Sequence, residues 1–492
     1  MKQKKSSNSS SFRTEIDIMG KVSIPSAAYY GSFTARALEN FKISNLKADP
    51  AFKIALAYIK IAAAQTNATL GEISKKDAEA IIKAAHEFIN GKFDDQFTLD
   101  SFQAGAGTPF NMNINEILAN RANELLGGKK GTYSKITPNN HINWGQSSND
   151  VIPTAIRLAG LIKAKLLLTE LEKLSNSFFK KATEFKNIIK IGRTHLQDAV
   201  PITLGQEFQA YGSAIKRSTN YIKQSLNNLK EVQIGGTALG TGITTNPKFR
   251  ALMVKNLKNL SKISLKATKY PMELSSNMNA FIMASNGLRC IANDFIRISK
   301  DLRLLSSGPK GGIYEIILPE VEPGSSIMPG KVNPSIAECV TMIGLQVMGN
   351  GHTIALAAQN SELELNVMTP IIMHNLLWSI EILTNGSGMF REKCINGIKA
   401  NTDQCNKLLE KSLCLATGLS PYIGYKITAQ LVKESLLKEI PLKELIQSKN
   451  FMKDKDLESI LSAKKLTSPK ATDKKLKAKI SANKNFQKYL KA

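Results

Sequence analysis

Residues 161–189 read LIKAKLLLTELEKLSNSFFKKATEFKNII. Leu161, Ala164, Leu168, Leu171, Leu174, Phe178, Ala182, Phe185 and Ile189 recur at steps of three or four. That spacing makes one apolar face along a continuous helix, which would span roughly 43 Å at 1.5 Å per residue. Comparable patterns run over about 203–232, 277–305, 334–348 and 368–395. Several helices of this length, joined by short Gly/Pro loops, predict an all-α protein built on a long-helix bundle. No βα alternation, GxGxxG or Walker pattern appears, and the glycine-rich TALGTGITTNP (237–247) has no strand leading into it.

The chain of 492 residues divides into three expected domains. Residues 1–146 read as a mostly helical N-terminal domain with a β-prone start. Residues 147–398 read as the central long-helix bundle, and 399–492 as a small basic helical domain with a Lys-rich tail. Low complexity in the last 25 or so residues predicts poor order there. The start, MKQKKSSNSSSFR, lacks the apolar region of a secretory signal and reads as a disordered tail, with a short transit peptide as the alternative. No apolar run reaches the roughly 20 residues of a membrane helix; KIALAYIKIAAA comes nearest and is broken by Lys60.

A net charge of +26 raises nucleic acid as a partner. The excess is lysine, 55 residues against 11 arginines, spread along the chain but densest over 451–492, where 12 lysines face four acids and contact with a polyanion is the alternative to a solvated surface. Base readers favour arginine, so the charge reads as a solvated surface and nucleic acid is not the expected partner. Cys290, Cys339, Cys394, Cys405 and Cys414 are odd in number and form no CxxC. They predict buried thiols in a reducing, cytoplasmic setting. The five histidines are scattered, and neither a metal site nor a cofactor is expected.

Four polar clusters stand at expected helix starts. They are the stretch around Thr108–Pro109, then Ser147, Ser148 and Asn149 ahead of Pro153, then Thr194 and His195 ahead of a helix near Thr203. The fourth is GSSIMPGKVNP (324–334), with Asn333–Pro334 opening the next helix. Free N–H groups and the positive end of the helix dipole gather at such places. One cluster is a cap; four, each with more donors than a cap needs, point to a multiply anionic ligand. Lys331 would supply the formal charge. Glu338, one turn into the last helix, could orient the His195 imidazole.

GSSIMPGKVNP resembles the signature loop of the aspartase/fumarase superfamily. QSSND, GRTHLQDAVPITLGQEF and GTALGTG resemble its other blocks, in the same order, and the likeness runs from about Phe12 to about Lys426. The resemblance implies a three-domain all-α fold and a homotetramer whose central domains form a 20-helix core. Each active site would then be shared by three subunits and take a small dicarboxylate. It also implies that Ser325 is the catalytic base on a closing loop. Lys331 and Asn333 would hold one carboxylate. Thr108, Ser147, Ser148 and Asn149 would surround the amine or hydroxyl end and the carboxylate beside it. Thr194 and His195 would meet the other carboxylate, with Glu338 behind His195. The implied reaction forms fumarate, by loss of ammonia from L-aspartate or, alternatively, of water from L-malate. AYYG, DLRLLSSGP, LELNVMTP and EKCINGIKAN resemble aspartases. Ser148, NRANELLGG and TMIGLQVMGN lean toward fumarases, while Thr137, where fumarases carry a histidine, leans slightly away from them.

Overall fold

A computed structural model describes residues 11–491. Most of the basic, serine-rich start lies outside the described residues. The chain opens with a hairpin of β1 (Phe12–Asp17) and β2 (Gly20–Pro25), followed by helices α1 (Ser32–Asn40), α2 (Pro50–Leu70), α3 (Lys75–Ile89) and α4 (Thr108–Leu125). Next come α5 (Ser148–Glu184), the hairpin β3 (Ile189–Thr194) and β4 (Gln197–Thr203), and α6 (Leu204–Leu226). Then follow α7 (Phe249–Ser261), α8 (Pro271–Ser276), α9 (Asn279–Leu305), α10 (Ser335–Gln359) and α11 (Thr369–Lys393). Shorter helices complete the C-terminal part, and the strands form only two-stranded pairings among the described residues.

The expected long helices are present, with shifted ends. Helix α5 has 37 residues, about 55 Å of helix, and begins well before the apolar stripe. Residues 151–160 are buried on every side, so no stripe marks them. Within the stripe, Leu161, Ala164, Leu171, Leu174, Phe178 and Phe185 are buried, and Leu167 takes the place expected of Leu168. Ile189 lies in β3, not in the helix. Helix α10 runs on to Gln359, beyond the expected end near Met348.

Two compact units can be distinguished. The first comprises residues 1–171, 217–295 and 342–387; its core includes Phe52, Phe110, Ile114, Leu158, Phe281 and Leu376, all fully buried. The second comprises residues 172–216, 296–341 and 388–492. There Phe178 packs against Phe208, Tyr211 and Phe390 at ring separations of 6.0–6.2 Å. A further apolar cluster in the second unit gathers Leu419, Leu431, Ile446, Phe451, Leu457, Ile480 and Phe486. The expectation of a poorly ordered tail is therefore corrected. Lys474–Ser481 and Lys484–Lys491 are helices, and Phe486 meets Phe451 edge-on at 5.3 Å. The thiol expectation is corrected in part: Cys394, Cys405 and Cys414 are buried, Cys339 is half-buried and Cys290 is exposed. Among the described residues no helix is long and apolar enough to cross a membrane.

Candidate active site

In the first unit, two helix starts are tied together by a buried polar network. Gly107 caps α4 with φ 68°, and a Cβ there would press on Ile152 at 3.0 Å. The side chain of Gln103 accepts from the N–H of Phe110 at 3.3 Å. Thr108 was expected at the cap but is the first helical residue, and its hydroxyl makes no hydrogen bond among the described residues. One turn on, Asn111 Nδ2 donates to Ser148 Oγ at 3.1 Å, joining α4 to the start of α5.

Beneath that joint lies Lys60, fully buried on α2. Its ammonium donates to Asn111 Oδ1 (2.8 Å), Asn143 Oδ1 (3.1 Å) and Gln146 Oε1 (3.0 Å). All three donors of the lysine are thus used on neutral oxygens. Burial pulls its pKa down to about 7, and the charge of Asp150 acts in the opposite direction.

Asp150 itself is the organiser of the SSND block. One carboxylate oxygen accepts from the Ser147 N–H at 3.0 Å; the other accepts from Gly235 N and Thr237 N, each at 2.9 Å. The glycine-rich loop is thereby held against the start of α5, and Asn149 Nδ2 adds a bond to Ala238 O at 2.9 Å. Burial pushes the Asp150 carboxyl up to about 7, opposed by its backbone hydrogen bonds. Ser147 Oγ accepts from the Asn149 N–H at 3.2 Å. Ser147, Ser148 and Asn149 are all half-buried.

In the second unit, Thr194 and His195 do not stand at a helix start, contrary to expectation. Thr194 pairs with Gln197 at the end of the β3–β4 hairpin, and His195–Leu196 is its two-residue loop. Both loop residues have positive φ, 56° and 61°, the pattern of the twisted turns that close such hairpins. The His195 side chain is exposed and lies nine residues before Leu204, where α6 begins, so a β-ribbon and not a helix dipole presents it. Behind the tip, Arg193 makes a two-bond fork to the fully buried Glu315, at 2.9 and 3.0 Å. Lys190 reaches the same carboxylate at 3.1 Å and also Glu207 at 3.1 Å.

The GSSIMPGKVNP loop is closed on itself. Gly324 N donates to Lys331 O at 2.9 Å, and Asn333 Nδ2 donates to Gly324 O at 2.6 Å. Ser325 Oγ accepts from the backbone N–H groups of Ile327 (3.2 Å) and Met328 (2.9 Å). Lys331 is exposed, and Ile327 is 83% exposed at the crest. Helix α10 then begins at Ser335, with Glu338 N bonded to Pro334 O at 3.0 Å. Glu338 meets Arg303 at 3.5 Å; no hydrogen bond or ion pair joins it to His195 among the described residues.

The sequence reading did not single out Lys60, Asn111, Asn143, Gln146, Asp150, Arg193 or Glu315 as site residues. A signal for Lys60 was present: one lysine inside the apolar run KIALAYIKIAAA has to find buried acceptors.

Set beside known proteins, this mostly helical chain falls in the class of lyases. A family model described as "Lyase" matches residues 20–349, and one described as "Fumarase C C-terminus" matches residues 415–468. The chain is 42% identical to the aspartate ammonia-lyase of Bacillus subtilis (strain 168) over 465 residues, covering 94% of this chain and 98% of that one. It is 43% identical to the class II fumarate hydratase of Wigglesworthia glossinidia brevipalpis over 450 residues, covering 91% and 97%. A crystal structure of class II fumarase from Schistosoma mansoni superposes with a TM-score of 0.91 at 37% identity, covering 94% of this chain and 100% of that one. The chain belongs to the aspartase/fumarase superfamily.

Proposed function

We propose that this lyase is an aspartate ammonia-lyase, converting L-aspartate reversibly to fumarate and ammonia. The observation that carries the reaction type is the loop at 324–334. Ser325 Oγ sits under two backbone N–H groups, in the same segment as Lys331 and Asn333. Hydrogen bonds to an oxygen favour its charged form. A deprotonated Ser325 can therefore take the proton from the carbon beside one carboxylate. The electron pair left behind spreads onto that carboxylate, where Lys331 and Asn333 stabilise the added charge more than they stabilise the ground state. The pair then forms the carbon–carbon double bond as the neighbouring carbon–nitrogen bond breaks. The amine leaves as ammonia, Ser325 keeps the abstracted proton, and fumarate remains.

In this reading, Thr108, Ser147, Ser148 and Asn149 surround the amine end and the carboxylate next to it. Thr194 and His195 meet the far carboxylate, with Glu338 in support. The homotetramer with sites shared by three subunits, the three-domain division and a cytoplasmic setting belong to the same proposal and rest on the family resemblance.

Aspartate is preferred to malate because DLRLLSSGP, LELNVMTP and EKCINGIKAN resemble aspartases and relatives over nearly the whole chain carry that name. The second reading, class II fumarate hydratase, is favoured by Ser148 and by relatives of that name at 40–43% identity. Purified protein given L-aspartate or L-malate separately, with fumarate followed by ultraviolet absorbance, decides between them. Turnover of aspartate is expected. Turnover of malate alone would overturn the substrate assignment, and inactivity toward both would overturn the reaction. Ser325→Ala should abolish turnover with circular dichroism unchanged.

A further inference from the structure

Arg157 lies on α5 in the first unit, 1% exposed. A buried guanidinium normally faces a carboxylate. This one donates from Nη1 to the carbonyl of Asn228 at 3.2 Å and lies 4.9 Å from the ring of Phe281. Its Nε is buried without a partner, and no carboxylate is within ion-pair distance among the described residues. Burial brings its pKa down to about 10; the charges of Glu231 and Glu273 act on it only from a distance.

Arg157 lines a cavity of about 670 Å³, which is large enough for a small organic molecule. Lys230 and Lys266 also line it, as do Glu231 and Glu273. Lys230 is engaged with Asn227 at 2.8 Å. The buried, under-used donor group therefore has an open space beside it and both signs of charge around it.

We propose that this cavity binds a small monocarboxylate, whose two oxygens are taken by the free donors of Arg157. A planar fork matches a carboxylate in shape as well as charge. Charges of both signs on the lining leave little net preference for a second negative charge, so the planar match to the Arg157 guanidinium is what favours a carboxylate over tetrahedral phosphate. The same carboxylate chemistry could come from a side chain of a second copy of this chain, and the test separates the two sources.

The probe is carboxyl-labelled acetate, observed by carbon-13 line broadening on the full-length protein. Broadening should saturate with an affinity on the order of 1 mM and persist in Lys331→Met, which removes the carboxylate-binding lysine proposed for the active site. It should weaken about tenfold or more in Arg157→Met, in line with loss of a charge-assisted fork. Ala280→Trp fills the cavity while leaving Arg157 in place. It should abolish broadening and decides the matter if Arg157→Met does not fold. Inorganic phosphate at the acetate concentration should leave the acetate signal unchanged. Undiminished broadening in the folded Arg157→Met protein or in Ala280→Trp, loss of broadening in Lys331→Met, or equal displacement by phosphate would each overturn the proposal. So would an acetate-silent wild type whose assembly dissociates on Arg157→Met, because the carboxylate would then belong to a second copy.

Discussion

Arg193 and Glu315 meet through two parallel hydrogen bonds, Nη1 to Oε2 at 2.9 Å and Nη2 to Oε1 at 3.0 Å, with Glu315 wholly buried. Arg193 immediately precedes Thr194 and His195, and Glu315 lies nine residues before Gly324 on the approach to the GSSIMPGKVNP loop. One ion pair therefore fixes the base of the histidine hairpin to the segment that leads into the serine loop. Glu315→Gln keeps the shape and removes the charge, leaving Lys190 with Glu207 alone and Arg193 without its carboxylate partner. Breaking a buried pair in this way costs about 3–5 kcal/mol. Denaturant unfolding should report a loss of that order, and turnover should fall because Thr194 and His195 lose their anchor. An unchanged midpoint would mean that the cluster is not held as described.

Gly324 tests the loop closure directly. A Cβ added there would collide with the carbonyl oxygen of Lys331 and stand 2.8 Å from Asn333 N. Both are backbone atoms that cannot swing aside. Gly324→Ala should open the Gly324–Lys331 pinch and displace Ser325, Lys331 and Asn333 together. Turnover is expected to drop at least about tenfold, roughly 1.4 kcal/mol in the barrier. The unfolding midpoint should move little, since the loop is exposed. A variant of normal activity would show that the closed loop geometry is not needed for turnover.

These elements were not equally legible in the sequence. Helices α6 and α9 follow from apolar spacing, because each buries one face and exposes the other. The first turns of α5 do not, because residues 151–160 are buried all round and periodicity carries no information there. The β3–β4 hairpin was hidden for a different reason. Phe185 and Ile189 continue the three-to-four spacing of the preceding helix, so the stripe appears to run on past Glu184. In the tail, Leu476, Ile480 and Phe486 pack into an apolar cluster, but the surrounding lysines mask them as low complexity. The site residues read from motifs carry loop chemistry visible along the chain. Lys60, Asp150 and Glu315 act through partners far away in sequence, and no local pattern could pair them.

Glu87 gives a pH dependence with a definite sign. The fork to Arg121, at 2.7 and 2.9 Å, is the main reason its pKa is lowered to about 2, and Lys92 adds a bond at 2.7 Å. A carboxylate whose folded pKa is depressed contributes stability above its unfolded pKa, near 4.5, and loses it as pH falls toward 2. The pair is partly exposed, so its worth at neutral pH is about 1 kcal/mol. Glu87→Gln should destabilise α3 against α4 by that amount at pH 7, and the gap from wild type should close between about pH 4.5 and pH 2. Urea titrations at pH 7, 4 and 3 would follow it; a gap that widens toward acid would contradict the assignment.

Lys60 separates packing from catalytic support. Replacing it with methionine keeps the stem but leaves Asn111 Oδ1 and Gln146 Oε1 without their shared donor, while Asn143 Oδ1 keeps the amides of Asn111 (3.1 Å) and Asn115 (3.2 Å). A buried acceptor without a partner costs about 1–3 kcal/mol. Removing a buried ammonium recovers part of that, so Lys60→Met should destabilise the fold by roughly 2–3 kcal/mol. Asn111 is also the residue that holds Ser148, at 3.1 Å. Rotation of its freed amide should therefore misplace the Ser148 hydroxyl, raising KM for the substrate more than it lowers kcat if Ser148 acts in binding. Asn111→Ala leaves Lys60 in place but breaks the Asn111–Ser148 link, and should reproduce the KM change. If Lys60→Met unfolds more easily while KM stays at the wild-type value, the lysine serves the core alone and the route through Asn111 to Ser148 is wrong.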